Sequence, residues 1–204
     1  MIVYREIEQN TEEWLKIRVG RITGSKFPLI MKKGRNSEWS QQALGYAYQI
    51  AAERIMRLND DLIYNNKYTD YGHQEEAVAR EKLEIELLTD IEQVGFIDKV
   101  TGKIGCSPDG LTEDSLIEIK CFQGKKFLKI CNENKPIEDN VMQTIYNMWV
   151  TEKERGLLVY FNDYFPKPFK IFEFKKEEFT DEMINRVVKF NDLIEQIVKD
   201  YESK

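Results

Sequence analysis

The sequence lacks the features that mark membrane, secreted and zinc-binding proteins. No run of about 18 or more apolar residues occurs in the chain, which excludes a membrane-spanning helix. Residues 1–6 do not contain the apolar core that a secretory signal peptide needs. The 3 cysteines are odd in number and have no zinc-ligand spacing, so we interpret them as reduced thiols of a cytoplasmic protein.

Internal repeats, low-complexity stretches and flexible linkers are also absent from the sequence. A chain of 204 residues with an ordinary apolar content is long enough to bury a sizeable core. We therefore predict a single domain that covers residues 1–204.

A net positive charge is missing as well, because the formal net charge is −6. Proteins that bind nucleic acids without sequence preference are usually basic, so the overall charge counts against such a function. A local basic surface is nevertheless sufficient for phosphate contacts. Two basic clusters, at residues 32–35 and 125–126, either form such a surface or belong to solvated loops.

The spacing of apolar residues predicts helices before and after a group of strands. Helices are expected over residues 11–20, 40–58, 71–88, 139–151 and 180–201, with a turn at residues 22–25 that leads into a further short helix. Strands are expected over residues 91–98, 104–107, 116–120, 157–162 and 170–175, the first two joined across Thr101 and Gly102. This order indicates an α/β or α+β class, with a central mixed sheet flanked by helices.

The most informative feature is a Pro-Asp-Gly turn containing Asp109, followed by the strand predicted over residues 116–120. Strand alternation places Glu118 and Lys120 on the same face of that strand. Two carboxylates and a lysine can hold a divalent cation beside a polarised water, as in metal-dependent nucleases. Each feature also has a simpler interpretation: an ordinary tight turn for Asp109, and an edge-strand charge pair for Glu118 and Lys120.

A third carboxylate is available from the adjacent pair Glu75 and Glu76, which helical geometry separates. Glu76 shares its face of the predicted helix with the apolar residues Ala79, Leu83 and Leu87. Glu75 shares its face with charged residues, so we expect Glu76 to point inward and Glu75 to be solvated. A glutamate pair is also common on a helix surface. The three carboxylates of Asp109, Glu118 and Glu76 can, however, all lie at the same end of one sheet, which favours a metal site.

The order Pro-Asp, spacer, Glu-x-Lys resembles the signature of the PD-(D/E)XK nucleases. The neighbouring segments resemble the lambda exonuclease, or YqaJ-like, viral recombination nucleases. The likeness is carried, in the family's order, by EWLKIRVG (13–20) with ITGS (22–25), GHQEE (72–76) with AR (79–80), CSPDGL (106–111), LIEIKC (116–121), and QTIY (143–146) with MWVT (148–151). The resemblance implies a restriction-endonuclease-like core.

The resemblance also implies roles for individual residues at the metal site. Asp109 and Glu118 match the metal-binding carboxylates, with the backbone carbonyl of Ile119 as a further ligand. Glu76 matches the helix glutamate that supports the site through water or metal. Lys120 matches the residue that positions or deprotonates the attacking water. Mg²⁺ is the cation that the family implies, with Mn²⁺ as the alternative and two ions in the site.

Further family positions concern the helix near the lysine and a pocket for a 5′-terminal phosphate. Gln143 matches the glutamine near the catalytic lysine, and Arg18, Ser25 and Ser107 match the pocket. Ser25 is expected to cap the helix that begins near it, while Arg18 supplies a bidentate cation or is an ordinary surface arginine. Where family members often have an arginine after the Glu-x-Lys strand, a loop one residue shorter carries Lys125 and Lys126. The single histidine, His73, is expected to be solvated.

These expectations describe an Mg²⁺-dependent exonuclease that degrades linear double-stranded DNA from the 5′ end to mononucleotides. The remaining 3′ single strand would serve a single-strand annealing protein in phage-type recombination, in the host cytoplasm if a phage encodes the chain. The resemblance implies a homotrimeric ring, whose channel can be basic although the net charge is negative. Two alternatives remain open, a PD-(D/E)XK endonuclease of restriction or resolvase type and a non-catalytic DNA-binding recombination scaffold.

Overall fold

The computed structural model describes residues 1–58, 70–99 and 102–203, and of these all side chains except those of residues 70–74. In these ranges the strands are β1 (Ile2–Tyr4), β2 (Ile22–Thr23), β3 (Phe96–Asp98), β4 (Ile104–Cys106), β5 (Gly110–Leu111), β6 (Ser115–Cys121), β7 (Arg155–Phe161) and β8 (Phe169–Lys175). The helices are α1 (Glu12–Arg18), α2 (Phe27–Met31), α3 (Gln41–Met56), α4 (Asp70–Leu87), α5 (Gly124–Glu133), α6 (Glu138–Thr151) and α7 (Asp181–Glu202). The predicted turn residue Thr101 and the side chain of His73 lie outside the described part.

The strands form two four-stranded mixed sheets. The first has the order β1-β3-β4-β2, in which only the β2–β4 pair is parallel. The second has the order β5-β6-β7-β8, in which a parallel β6–β7 pair lies between two antiparallel pairs. The parallel pair is connected through α5 and α6, because parallel neighbours need a crossover. Mixed sheets flanked by helices confirm the predicted class, with the strands divided between two sheets.

Strand β6 is covered on both faces. Ile117 and Ile119 pack with Ala79 and Leu83 of α4 on one face, and α6 packs on the other. Glu118 is therefore only 1 % exposed. Truncating Leu83 to alanine would remove a fully buried side chain and cost about 2–5 kcal/mol.

Three predicted helices begin at hydroxyl caps. Thr11, Ser40 and Thr180 each accept a hydrogen bond from the backbone N–H three residues further on, which satisfies a donor that has no partner within the helix. The helices that follow agree with the predicted bounds within a few residues. No helix in the described ranges combines the length and the apolar content needed to cross a membrane.

The strand predicted over residues 91–98 is wrong over its first part. Only Phe96–Asp98 belongs to a strand, and Glu92 forms an isolated bridge. The strand does not extend back past Gly95, because the backbone of Ile7 packs directly against that residue. A Cβ added at Gly95 would lie 2.0 Å from the carbonyl oxygen of Ile7. This contact joins distant parts of the chain and has no local sequence signal.

Helix α5 is a second difference from the sequence analysis. The loop expected around Lys125 and Lys126 is the first turn of this helix, which buries Phe127 and Ile130 against the core. The residue that precedes the helix, Gln123, makes no side-chain capping hydrogen bond. The usual sequence signal of a helix start is therefore missing, and Lys125 and Lys126 make the start of this amphipathic helix look like a charged loop.

Candidate active site

A cavity of about 550 Å³ opens beside β6 and brings together most residues that the sequence analysis singled out. The residues expected at the metal site that line it are Glu76, Asp109, Lys120 and Gln143. The residues expected to bind a terminal phosphate that line it are Arg18, Ser25 and Ser107. The structure therefore places both groups around a common space, although they come from distant parts of the chain.

Glu118 is the buried centre of a hydrogen-bond cluster. Its Oε1 accepts hydrogen bonds from Lys120 Nζ and from Gln143 Nε2, each at 2.5 Å. Its Oε2 accepts one from Asn147 Nδ2 at 2.9 Å. The parallel pairing of β6 with β7 fixes the backbone, and α6 supplies both amide donors. The carboxylate is thus held from three sides before any ligand is present.

Asp109 is held at the entrance to the β5–β6 hairpin. Its Oδ2 accepts a 2.6 Å hydrogen bond from the backbone N–H of Ile119, and the residue is 8 % exposed. The following residue must be small, because a Cβ on Gly110 would lie 2.3 Å from the side chain of Ile91. This arrangement fixes the Asp109 carboxylate beside the backbone that carries Glu118.

Glu76 faces the cavity from α4 and is tied to the Asp109 turn through Arg80. Arg80 Nη2 donates to Glu76 Oε1 at 3.3 Å, and Arg80 Nε donates to the carbonyl oxygen of Asp109 at 2.9 Å. Glu75 does not line the cavity. Its side chain is partly exposed.

The three carboxylates repel one another in a poorly solvated place. Burial, followed by the negative charge of Asp109, raises the pKa of Glu76 to about 8 and that of Glu118 to about 7. Burial alone would lower the pKa of Lys120, but the Glu118 and Asp109 carboxylates outweigh it and raise that pKa. Lys120 is therefore a charged hydrogen-bond donor at neutral pH, and the site has a demand for positive charge.

The part of the cavity that contains Arg18 and Ser107 is built on Trp14 of α1. The guanidinium of Arg18 lies over the Trp14 ring at 4.1 Å from its centroid. Trp14 Nε1 donates to Ser107 Oγ at 2.8 Å, and Arg18 Nη1 donates to the same oxygen at 3.3 Å. Since both acceptor positions of this hydroxyl are used, its own hydrogen is left for a further partner. The geometry suits a phosphate oxygen between Arg18 and Ser107.

Ser25 lies in a 3-10 turn, Gly24–Lys26, that is continuous with α2. The expectation that Ser25 caps a helix is wrong. Thr23 precedes the turn and Lys26 precedes α2, and neither makes a side-chain capping hydrogen bond. The exposed Ser25 side chain instead lines the cavity, where it is available to a ligand.

Lys125 and Lys126 do not line the cavity. The ammonium group of Lys126 lies 3.6 Å from the centroid of the Phe122 ring, which occupies it in a cation–π contact. A contact of either lysine with substrate therefore stays a prediction that the geometry of the cavity does not favour.

Sequence reasoning missed Asn147, which lines the cavity and is 1 % exposed. It follows Gln143 by one helical turn on α6, so the two amides lie on the same helix face and reach the same carboxylate. That spacing is the signal that could have identified it, because the inward direction of Gln143 predicts the inward direction of Asn147.

The donor set fits a hard divalent cation. The carboxylates of Asp109, Glu118 and Glu76 and the carbonyl of Ile119 are oxygen ligands of the kind that Mg²⁺ prefers. Within the described ranges, no group of three or more Asp, Glu, His or Cys side chains has an arrangement that could hold a metal ion. At Glu118, one carboxylate oxygen is paired with Lys120 Nζ at 2.5 Å.

The mixed sheets flanked by helices form a PD-(D/E)XK-like fold, in which Asp109, Glu118 and Lys120 lie close together. Residues 13–154 match the family model of the YqaJ-like viral recombinase domain, and the chain belongs to that family. This confirms the resemblance found in the sequence. Among curated proteins, no relative was found.

Solved structures with similar folds include exonucleases. An alkaline exonuclease, LHK-Exo, from Laribacter hongkongensis has a TM-score of 0.82 and 23% identity over 95% of this chain and 97% of that chain. The structure of LHK-Exo in complex with dAMP gives the same values. A phage-related exonuclease from Haemophilus somnus 129PT has a TM-score of 0.63 and 11% identity over 89% of this chain and 96% of that chain. At these identities the likeness shows a shared fold that extends over nearly the whole chain.

Proposed function

We propose that this protein is an Mg²⁺-dependent exodeoxyribonuclease, with Mn²⁺ as an alternative cation and two ions in the site. It degrades linear double-stranded DNA in the 5′-to-3′ direction, releases mononucleotides and leaves 3′ single strands. The observation that carries the proposal is the shared cavity of about 550 Å³, in which Arg18 and Ser107 lie together with Asp109 and Lys120. A DNA end held by its phosphate would place a phosphodiester beside the carboxylates.

The carboxylates of Asp109, Glu118 and Glu76 and the Ile119 carbonyl are the groups that would hold the cations. When bound there, a divalent cation polarises the scissile phosphate and lowers the pKa of a coordinated water. The hydrogen bond from the Ile119 N–H keeps Asp109 in position, and Arg80 keeps Glu76 beside it. These oxygen groups come from helix α4, from strand β6 and from the turn before β5.

Lys120 orients the nucleophile in this proposal. One N–H of its ammonium group donates to Glu118 Oε1, which leaves two further donors for groups in the cavity. Because its pKa is raised, Lys120 stays protonated and acts by donating hydrogen bonds to an attacking water or a phosphate oxygen. Gln143 donates to the same Glu118 oxygen and limits the movement of the carboxylate.

The exonuclease character rests on recognition of a terminal phosphate. A charged guanidinium and two hydroxyls suit the doubly charged end better than the singly charged phosphate inside a strand. The similar structures agree with this choice, because two of the proteins described above are called exonucleases and one contains dAMP, a mononucleotide. The family description, a viral recombinase domain, supports a role in recombination.

The proposal extends to assembly and partners. A homotrimeric ring in the host cytoplasm, acting with a single-strand annealing protein, would couple digestion to recombination. A ring would also reconcile the net charge of −6 with DNA binding, because basic groups can line its channel. Light scattering on the purified protein would test the ring, with a mass of three 24.2 kDa chains expected and a monomer contradicting it.

The direct test compares linear and covalently closed duplex DNA in Mg²⁺ and in EDTA. The proposal expects mononucleotides from the linear 5′-phosphorylated duplex in Mg²⁺ alone, with closed circles spared. Cleavage of closed circles would instead favour a PD-(D/E)XK endonuclease. Absence of cleavage of either substrate in Mg²⁺ would favour the non-catalytic scaffold.

A further inference from the structure

Asn147 carries an unexplained polar atom next to the carboxylate cluster. Its Nδ2 donates to Glu118 Oε2 at 2.9 Å. Its Oδ1 is buried and has no hydrogen-bond partner among the described residues. Asn147 lines the cavity, and burying its amide oxygen without a partner costs free energy, so stability alone does not explain its position.

The orphaned oxygen is directed at the turn that carries Ser25. A Cβ built on Gly24 would lie 2.0 Å from Asn147 Oδ1 and 2.9 Å from its Cγ, so only glycine leaves room for the amide in its present place. Asn147 therefore lies between the metal-site carboxylate on one side and the phosphate-site turn on the other.

The hydrogen bonds of Glu118 show what the amide is for. Both acceptor positions of Oε1 are used, by Lys120 and Gln143, whereas Oε2 receives a single donor from Asn147. Oε2 is therefore the oxygen with a position left for a cation. A neutral amide can hold that oxygen without repelling an incoming cation, which the charged Lys120 cannot do.

We propose that Asn147 is a positioning residue for the divalent cation, an inference that rests on the proposed function. Its Nδ2 holds Glu118 Oε2 in the orientation that binds the cation. Its Oδ1 packs against Gly24, which fixes the rotation of the amide that this hydrogen bond requires. A partner that orients a metal ligand in this way contributes to the affinity for the metal.

The test measures Mn²⁺ and Mg²⁺ binding by titration calorimetry, with wild type, Asn147→Ala and a matched control. The control is Asn140→Ala, which removes an amide from the same helix where it contacts Tyr160 Oη at 3.3 Å and does not line the cavity. Loss of a partner that orients a metal ligand typically weakens metal affinity about ten- to hundredfold. We expect that loss for Asn147→Ala and an unchanged affinity for Asn140→Ala, with thermal unfolding in EDTA confirming that both are folded.

A further variant tests the inference without removing Asn147. Gly24→Ala changes no polar group of Asn147, but its Cβ would push the amide away from Glu118, so it should also weaken cation binding. If Asn147→Ala folds, adding Gly24→Ala to it should have little further effect, because the group that Gly24→Ala displaces is gone. Additive effects of the two changes would overturn the inference.

Enzyme kinetics provide a readout that a purely structural role would not change. For Asn147→Ala we expect a reduced kcat at low Mg²⁺ that recovers as Mg²⁺ rises, with an unchanged KM for DNA. Equal cation affinity in wild type and Asn147→Ala, or an equal loss in Asn140→Ala, would overturn the inference while leaving the nuclease proposal intact. A wild-type protein that neither binds the cation nor cleaves DNA would overturn the proposed function itself.

Discussion

Replacing Arg18 with alanine should reduce the selectivity of the protein for 5′-phosphorylated ends. The structure holds the guanidinium in place before a ligand arrives, because it stacks on Trp14 at 4.1 Å and donates to Ser107 at 3.3 Å. A preorganised cation loses little side-chain entropy when it binds phosphate. Most of the energy of the contact is then available for discrimination between phosphate and hydroxyl ends.

The magnitude follows from the kind of hydrogen bond involved. A hydrogen bond to a charged group contributes roughly 1.5 to 3 kcal/mol, which corresponds to about a ten- to hundredfold difference in rate or affinity. We expect wild type to cleave 5′-phosphorylated duplex faster than 5′-hydroxyl duplex by a factor in this range. Arg18→Ala should remove most of the difference by slowing cleavage of phosphorylated ends, while hydroxyl ends change little.

The assay is single-turnover digestion of two duplexes that differ only in the terminal group. Lys16→Ala is the matched control, because it removes a cation from the same helix that is exposed, paired with Glu12 and absent from the cavity wall. Lys16→Ala should keep the full preference. Arg18→Lys keeps the charge but loses the planar fork, so it should retain part of the preference.

Equal rates on the two duplexes in wild type would refute the phosphate pocket, and with it the exonuclease interpretation in favour of an endonuclease. A loss of preference in Lys16→Ala as large as that in Arg18→Ala would show that general electrostatics, and not the Arg18 geometry, is responsible. Residual cleavage by Arg18→Ala should still require Mg²⁺, because the carboxylates are untouched.

Three further predictions concern the carboxylate cluster. Glu76→Gln should reduce cleavage much more than Glu75→Gln, since only Glu76 lines the cavity; equal effects in a rate assay would count against a role for Glu76. Lys120→Ala should slow turnover severely, on the order of a hundredfold, yet still bind Mg²⁺ and DNA, and an unchanged kcat would remove the lysine from the mechanism. The pKa is raised to about 7 for Glu118 and to about 8 for Glu76. The folded state therefore holds more protons than the unfolded state between pH about 5 and 8. In EDTA, the free energy of unfolding should fall as the pH rises through this window. Urea unfolding at several pH values checks this, and a rise in stability over the same window would contradict it.

The central strand and its charged face could be predicted from sequence because their signals are local. Alternation along residues 116–120 placed Glu118 and Lys120 together, and the helical spacing after Glu76 predicted the buried Ala79 and Leu83. These patterns depend on periods of two and of 3.6 residues, which belong to the elements themselves. The ordered family motifs then joined the elements into one site.

The features that sequence reasoning missed depend on contacts between distant segments. The break at Gly95 is set by the backbone of Ile7, and the two-residue strand β2 exists only through its pairing with β4. The burial of β6 on both faces depends on α4 and α6 arriving from opposite sides of the sheet. None of these contacts can be predicted from the residues in a short stretch of sequence.

Asn147 shows how a site residue can escape a motif. The segments that resemble the family, residues 143–146 and 148–151, lie on either side of Asn147 but do not include it. A single asparagine inside an apolar helix is easily interpreted as a polar residue without a role. Its role becomes visible only when Glu118 is found within 2.9 Å of its amide nitrogen. The i, i+4 relation to Gln143 would have pointed to it once the inward face of α6 was known.

The measurement that tests the account most directly is cleavage of a 5′-phosphorylated linear duplex by wild type, Asp109→Ala and Glu118→Ala across a titration of Mg²⁺. Each variant removes a charged oxygen ligand of the cation. We predict mononucleotide release by wild type only when Mg²⁺ is present, and no cleavage by either variant at any Mg²⁺ concentration, with folded protein verified by circular dichroism. Retention of about a tenth of the wild-type rate or more by either variant in saturating Mg²⁺ would contradict the metal assignment.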